Sequence, residues 1–147
     1  MRLLLLLAAG IAVLAGCGSG AGDDPAAAGA VIRLAAVPGR PAAGYASLAA
    51  PPGGEALTGA SSPRAGRVEM HETMSHGSMS RMRPLERIEP AGDGRIVFAP
   101  GGRHLMLFDV DPALKPGDRA DLVFRFARGA PVTVGARVIA AGEDYSH

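Results

Sequence analysis

The sequence predicts an all-β domain, an antiparallel sandwich or barrel, and three observations carry that expectation. Apolar runs of strand length recur along the chain. Clusters of Gly and Pro separate them at regular intervals. No segment sustains a helical period over about 12 uninterrupted residues, the length that would separate a helix from a buried strand.

The elements follow in chain order. Residues 1–16 read as a lipoprotein signal peptide. Met1-Arg2 is a minimal positive start, and the apolar stretch from Leu3 to Leu14 is too short to span a bilayer as a helix. It ends in Leu14-Ala15-Gly16-Cys17, which resembles a bacterial lipobox: small residues before a cysteine that is lipidated and becomes the new N-terminus. The alternative is an ordinary leader cleaved nearby, with Cys17 incidental. The single cysteine sits where the apolar run ends, which favours lipidation. Residues 17–30 are mainly Gly, Ala, Ser and Asp, a flexible tether between anchor and domain. Gly18 carries no acidic retention signal, so the outer membrane is favoured where the host has two.

Nine strand-length runs follow, at 31–37, 45–49, 55–61, 68–74, 79–88, 95–99, 104–110, 121–127 and 132–140. Pro38-Gly39, Pro51-Pro52-Gly53-Gly54, Gly92-Asp93-Gly94, Pro100-Gly101-Gly102 and Pro116-Gly117-Asp118 punctuate them. Val132, Val134, Ala136 and Val138 show the period of two expected of a half-buried strand. The expected organisation is a single β-domain over 31–140 with a short tail, 141–147. With 15 Lys+Arg against 14 Asp+Glu, the chain lacks the basic footprint that nucleic acid binding needs.

Soft donors are concentrated in one interval. Apart from Met1, every one of the six methionines lies between Met70 and Met106, together with three of the four histidines. Within it runs His71-x10-Met82-x21-His104-x-Met106. Thioether sulfur is a soft, neutral donor suited to copper(I), whereas zinc, calcium and magnesium prefer thiolate, imidazole or oxygen. In a strand His104 and Met106 project from one face, so both can reach one metal. A packing explanation puts Met106 and Met82 in the core and both histidines on the surface. It fits poorly, because Leu, Val and Ala supply the packing elsewhere. Met74, His76 and Met79 are auxiliary donors for a second, weaker site, with copper(II) as a further guest, or for metal entry. The other reading of that segment is an exposed loop at 75–78 without a ligand role. His147 is expected to be irrelevant to the site.

The four-donor spacing, Ala43-Gly44-Tyr45, Ser61-Ser62-Pro63, Val68-Glu69-Met70-His71-Glu72, Met82-Arg83-Pro84 and Pro100-Gly101-Gly102-Arg103-His104-Leu105-Met106 together resemble the periplasmic copper chaperones of the PCu(A)C type. The resemblance covers residues 42–110. It implies a cupredoxin-like fold binding one copper(I) at an exposed edge through His71, Met82, His104 and Met106. It also implies delivery of copper to an oxidase subunit or another chaperone for assembly of cytochrome c oxidase, particularly its dinuclear copper centre. Two features depart from the family: the lipid anchor, since the family is often soluble, and the extra loop donors.

The chemistry points the same way. Neutral imidazoles and thioethers leave copper(I) its full charge, and with Cys17 acylated no thiolate remains to hold it tightly. Such a site exchanges its metal readily, unlike an electron-transfer centre, which generally keeps a cysteine. No Ser-His-Asp order, zincin helix or phosphate loop is present, and a non-enzymatic protein is expected. A copper-sequestering tolerance lipoprotein is the alternative function; a copper-dependent redox enzyme has less support. Glu69, Glu72 and Glu86 read as solubilising.

Overall fold

Among the described residues nine strands form where the sequence alternates and turns: β1 (Ala30–Arg33), β2 (Ala42–Ala49), β3 (Leu57–Ser61), β4 (Ala65–His76), β5 (Met79–Leu85), β6 (Arg95–Phe98), β7 (Arg103–Val110), β8 (Arg119–Phe126) and β9 (Val132–Ile139). The computed structural model describes residues 29–53 and 55–144. The expected signal peptide, Cys17, most of the tether and His147 lie outside those residues. Among the described residues there is no helix, in keeping with the all-β expectation.

The strands are ordered β3-β8-β9-β1-β2-β7-β4-β5, with β6 added on β2. Strand β2 serves two neighbours on one side: Ala42 to Gly44 pair with β7, and Ala46 to Ala49 pair with β6. That division curls the sheet around a core whose largest fully buried side chains include Phe98, Phe124, Leu48, Leu105 and Leu107. Each such side chain contributes on the order of 1.5–3 kcal/mol by leaving water. Strand β8 shows the amphipathic logic most plainly: Ala120, Leu122, Phe124 and Phe126 are buried and the residues between them are exposed or half-buried.

Strand ends shift by a few residues, with β1 ending at Arg33 and β5 at Leu85, and three further differences from the sequence expectation shape the sheet. Among the described residues seven of the eight ladders are antiparallel, but β1 pairs with β9 in parallel. A parallel pair needs a long connection, and here nearly the whole domain intervenes. Strand β2 begins earlier than its aromatic residue suggests, because small Ala42, Ala43 and Gly44 permit close approach to β7: a Cβ on Gly44 would lie 3.0 Å from Leu105 Cβ and 3.1 Å from Leu107 Cδ1. Strand β4 runs on to His76, so the expected loop shrinks to the two-residue turn Gly77-Ser78, with Gly77 at a φ of 58°.

Strand β5 ends the path and pairs only with β4 among the described residues. Hydrogen-bonded and non-bonded pairs alternate from the turn, which puts Pro84, opposite His71, at a non-bonded position. Its missing N–H therefore falls on the outer edge, where proline is tolerated.

The close approach at Gly44 yields a first prediction. Gly44→Ala should overpack β2 against β7 and lower stability by about 1–3 kcal/mol. Urea unfolding measures it; an unchanged midpoint would mean that β7 yields without cost.

Candidate metal centre

Register, more than spacing, assembles the donors. Strand β4 pairs with β7 so that His71 lies opposite His104 and Glu69 opposite Met106, and with β5 so that Thr73 lies opposite Met82. Opposed residues share a face, and alternate residues along a strand share it too. His71, Met82, His104 and Met106 therefore emerge on one face of three adjacent strands. The intervening residues Met70 and Leu105 are 4% and 0% exposed and point into the core.

His104 is buried, and its Nδ1–H donates to the carbonyl of Gly102 at 3.0 Å. A carbonyl only accepts, so the neutral ring carries its proton on Nδ1 and leaves Nε2 bare. That bare nitrogen lies 3.4 Å from Met82 Sδ. Two lone-pair donors thus face each other without a proton between them. For scale, zinc–imidazole and zinc–thiolate bonds of about 2.0 and 2.3 Å at a tetrahedral angle set their donor atoms roughly 3.5 Å apart.

His71 mirrors this arrangement. Its Nε2–H donates to Glu69 Oε2 at 2.9 Å, and its Nδ1 is buried without a hydrogen-bond partner. The two imidazole centroids are 6.0 Å apart. Met82, His104 and Met106 line one side of an open cleft of about 260 Å³ whose other walls include Pro41, Tyr45, Thr73 and Gly101. His71 does not line the cleft; its ring lies beside that of His104. Met82 is 56% exposed.

Sequence reasoning missed the supporting contacts. Glu69 does more than solubilise: it accepts from His71, and Arg67 Nε lies 2.8 Å from its other oxygen. The hydrogen bond from His71, reinforced by Arg67, holds the Glu69 carboxyl below the usual range against some desolvation. Glu69 and His71 are two residues apart in one strand, as are Gly102 and His104. A search for acceptors at that spacing would have found both contacts. Glu72 faces the other side, where Arg83 at 2.7 Å and Arg103 at 3.7 Å hold its carboxyl below the usual range. Both carboxylates add stability above the ordinary glutamate range and lose it as pH falls below. Solvent screening keeps the effect small.

The auxiliary donors take a different place. Met74, His76 and Met79 lie on the opposite face of the β4–β5 hairpin from Met82 and His71, because they occupy the alternate register positions. All three are exposed.

The hydrogen bonds fix a second prediction. Long-range nitrogen–proton correlation spectra at alkaline pH should show His104 protonated at Nδ1 and His71 at Nε2. Glu69→Ala should erase the preference at His71 alone; an unchanged His71 pattern would show that Glu69 does not set it.

The comparisons follow this geometry. A family profile described as "Putative lipoprotein LpqE-like" matches residues 26–138. The chain is 33% identical over 95 residues to "Putative lipoprotein Lxx21020" of Leifsonia xyli subsp. xyli, covering 60% of this chain and 56% of that protein. It is 29% identical over 83 residues to "Uncharacterized protein RP573" of Rickettsia prowazekii, covering 56% of this chain and 46% of that one. The chain thus spans about half the length of these curated relatives. Among solved structures, the apo PCuAC domain from PmoF1 superposes with a TM-score of 0.58 at 19% identity, covering 78% of this chain and 92% of that domain. The solution structure of CuI-DR1885 from Deinococcus radiodurans gives 0.54 at 26% identity, covering 76% and 75%. The chain belongs to the LpqE-like family and has the cupredoxin-like fold of the PCuAC domains, as its sequence resemblance implied.

Proposed function

We propose that this protein is an extracytoplasmic copper(I) carrier that holds the ion between His71, Met82, His104 and Met106. One observation carries the reading: the bare Nε2 of His104 faces Met82 Sδ at 3.4 Å. His104 is a buried residue, and the thioether sulfur offers its bare nitrogen no proton. A soft monovalent ion would satisfy the nitrogen and the sulfur together. The copper(I) named in the DR1885 structure supports the same assignment.

Residues 31–140 form the copper-binding unit in this reading, and lipid on Cys17 tethers it at the extracytoplasmic side of a membrane. The lipoprotein name of its family and of the Leifsonia relative supports the anchor. The recipient is a copper-accepting oxidase subunit or a further chaperone, for assembly of the dinuclear copper centre. The donor set favours transfer over catalysis, because an incoming ligand can displace Met82 from the solvent side without breaking the fold. Storage without a recipient is the second reading, favoured by the extra donors at the hairpin tip. Mixing the loaded protein with an apo-oxidase copper domain separates the two, since a store would retain its metal.

The ligand assignment is checked with a copper(I)-specific competing chelator. Met106→Leu conserves volume and should cost under about 1.5 kcal/mol of stability. It should still weaken copper(I) binding by more than about tenfold, equivalent to about 1.4 kcal/mol. Equal affinity would remove Met106 from the site.

Acid should also release the metal. Protons compete with copper at both imidazoles and at neither thioether, so affinity should fall as the pH drops from about 8 to about 5. Replacing His71 and His104 together by methionine should flatten that dependence. A wild-type affinity that ignores pH would exclude the histidines.

The anchor has its own test. Cys17→Ser should shift the protein out of the membrane fraction or leave it unprocessed. Normal processing and membrane recovery would defeat the lipidation reading.

A further inference from the structure

We infer that the far face of the β4–β5 hairpin tip is a second, weaker soft-metal site, formed by Met74, His76 and Met79. The inference is independent of the four-donor site. The ladder between β4 and β7 ends at Glu72 opposite Arg103, with one further bond from Thr73 N–H to the carbonyl of Gly102. Beyond it, β4 and β5 project as a two-stranded ribbon closed by Gly77-Ser78.

The ribbon has no core to cover. Met74 is 45% exposed and Met79 is 68% exposed. Packing therefore does not account for methionine at either position, whereas Met70, on the same face further back, is buried. Register brings the donors together: His76 lies directly opposite Met79 at the mouth of the turn, and Met74 occupies the next row on that face, opposite Arg81. Directly opposed side chains have Cβ atoms about 4.5–5.5 Å apart, close enough for an imidazole and a thioether to share one ion.

One imidazole and two thioethers make a neutral, soft, three-donor set suited to copper(I) or silver(I) and poorly suited to hard cations. Arg81 in the same row opposes a bound cation, and exposure leaves the site open to water, so binding is weak and reversible. The sheet separates this patch from Met82 and His104, which face the other way, so one ion cannot bridge the two sets. The protein should hold two soft ions.

Silver(I), which is soft and redox-inert, is the probe. The chain, purified in detergent, is titrated while silver bound per chain is measured by equilibrium dialysis and the methionine methyl carbons are followed by NMR. Two equivalents should bind. The weaker should shift the Met74 and Met79 methyls and the His76 ring while leaving Met70 in place. Replacing Met74 and Met79 together by leucine should abolish that equivalent and change the stronger affinity by less than about twofold, as for independent sites. A second equivalent that survives in this variant, or Met74 and Met79 methyls that never move, overturns the proposal. If those two respond while Met82 and Met106 stay silent, the hairpin site stands and the carrier reading of the other face falls.

Discussion

The pairing of β4 with β7 is the constraint on which the candidate site depends. His71 meets His104 only in one register, and the same register sets Glu69 opposite Met106. A slip of one residue would turn a donor set inward and bring Met70 or Leu105 to the surface. Burial of those two side chains opposes the slip, and the tight contact of Gly44 with Leu105 and Leu107 locks β7 from its other side. The donors are thus positioned by the hydrophobic residues between them.

Much of this was legible in the chain. Nine strand-length runs became nine strands, since alternation and Gly/Pro turns report burial and chain reversal locally. The interval dense in Met and His placed the candidate donors on β4, β5 and β7. What spacing did not carry was pairing: the parallel contact of β1 with β9 joins residues at opposite ends of the domain. Residues 42–44 fall outside the apolar run at 45–49, because small side chains give a weak local signal; Ala43-Gly44-Tyr45 entered as the opening of a strand only through the family resemblance, and the smallness of Gly44 is what the contact requires. The separation of Met74, His76 and Met79 from the other donors also follows from register, which the position of the two-residue turn determines.

The two histidines show how a fold fixes the ring tautomer and orientation from the backbone and a neighbouring side chain. Gly102 and Glu69 each hold one ring nitrogen by a hydrogen bond, which fixes the tautomer and the ring orientation. The remaining nitrogen of His71 is buried without a hydrogen-bond partner, at some cost to stability. The Arg67–Glu69 pair then places a negative charge behind His71, partly offset by the guanidinium.

Pro84 has a consequence beyond its own strand. Many partners recognise a sheet by adding a strand to its edge, and β5 offers the edge nearest the donors. The missing N–H of Pro84 interrupts the row of groups that an added strand would use, and Arg81 and Arg83 place charge along it. Edge-to-edge pairing, whether with a partner or with another copy, is therefore disfavoured. A partner docking near these residues would approach face-on, over the exposed Met82, where side chains rather than backbone decide the fit.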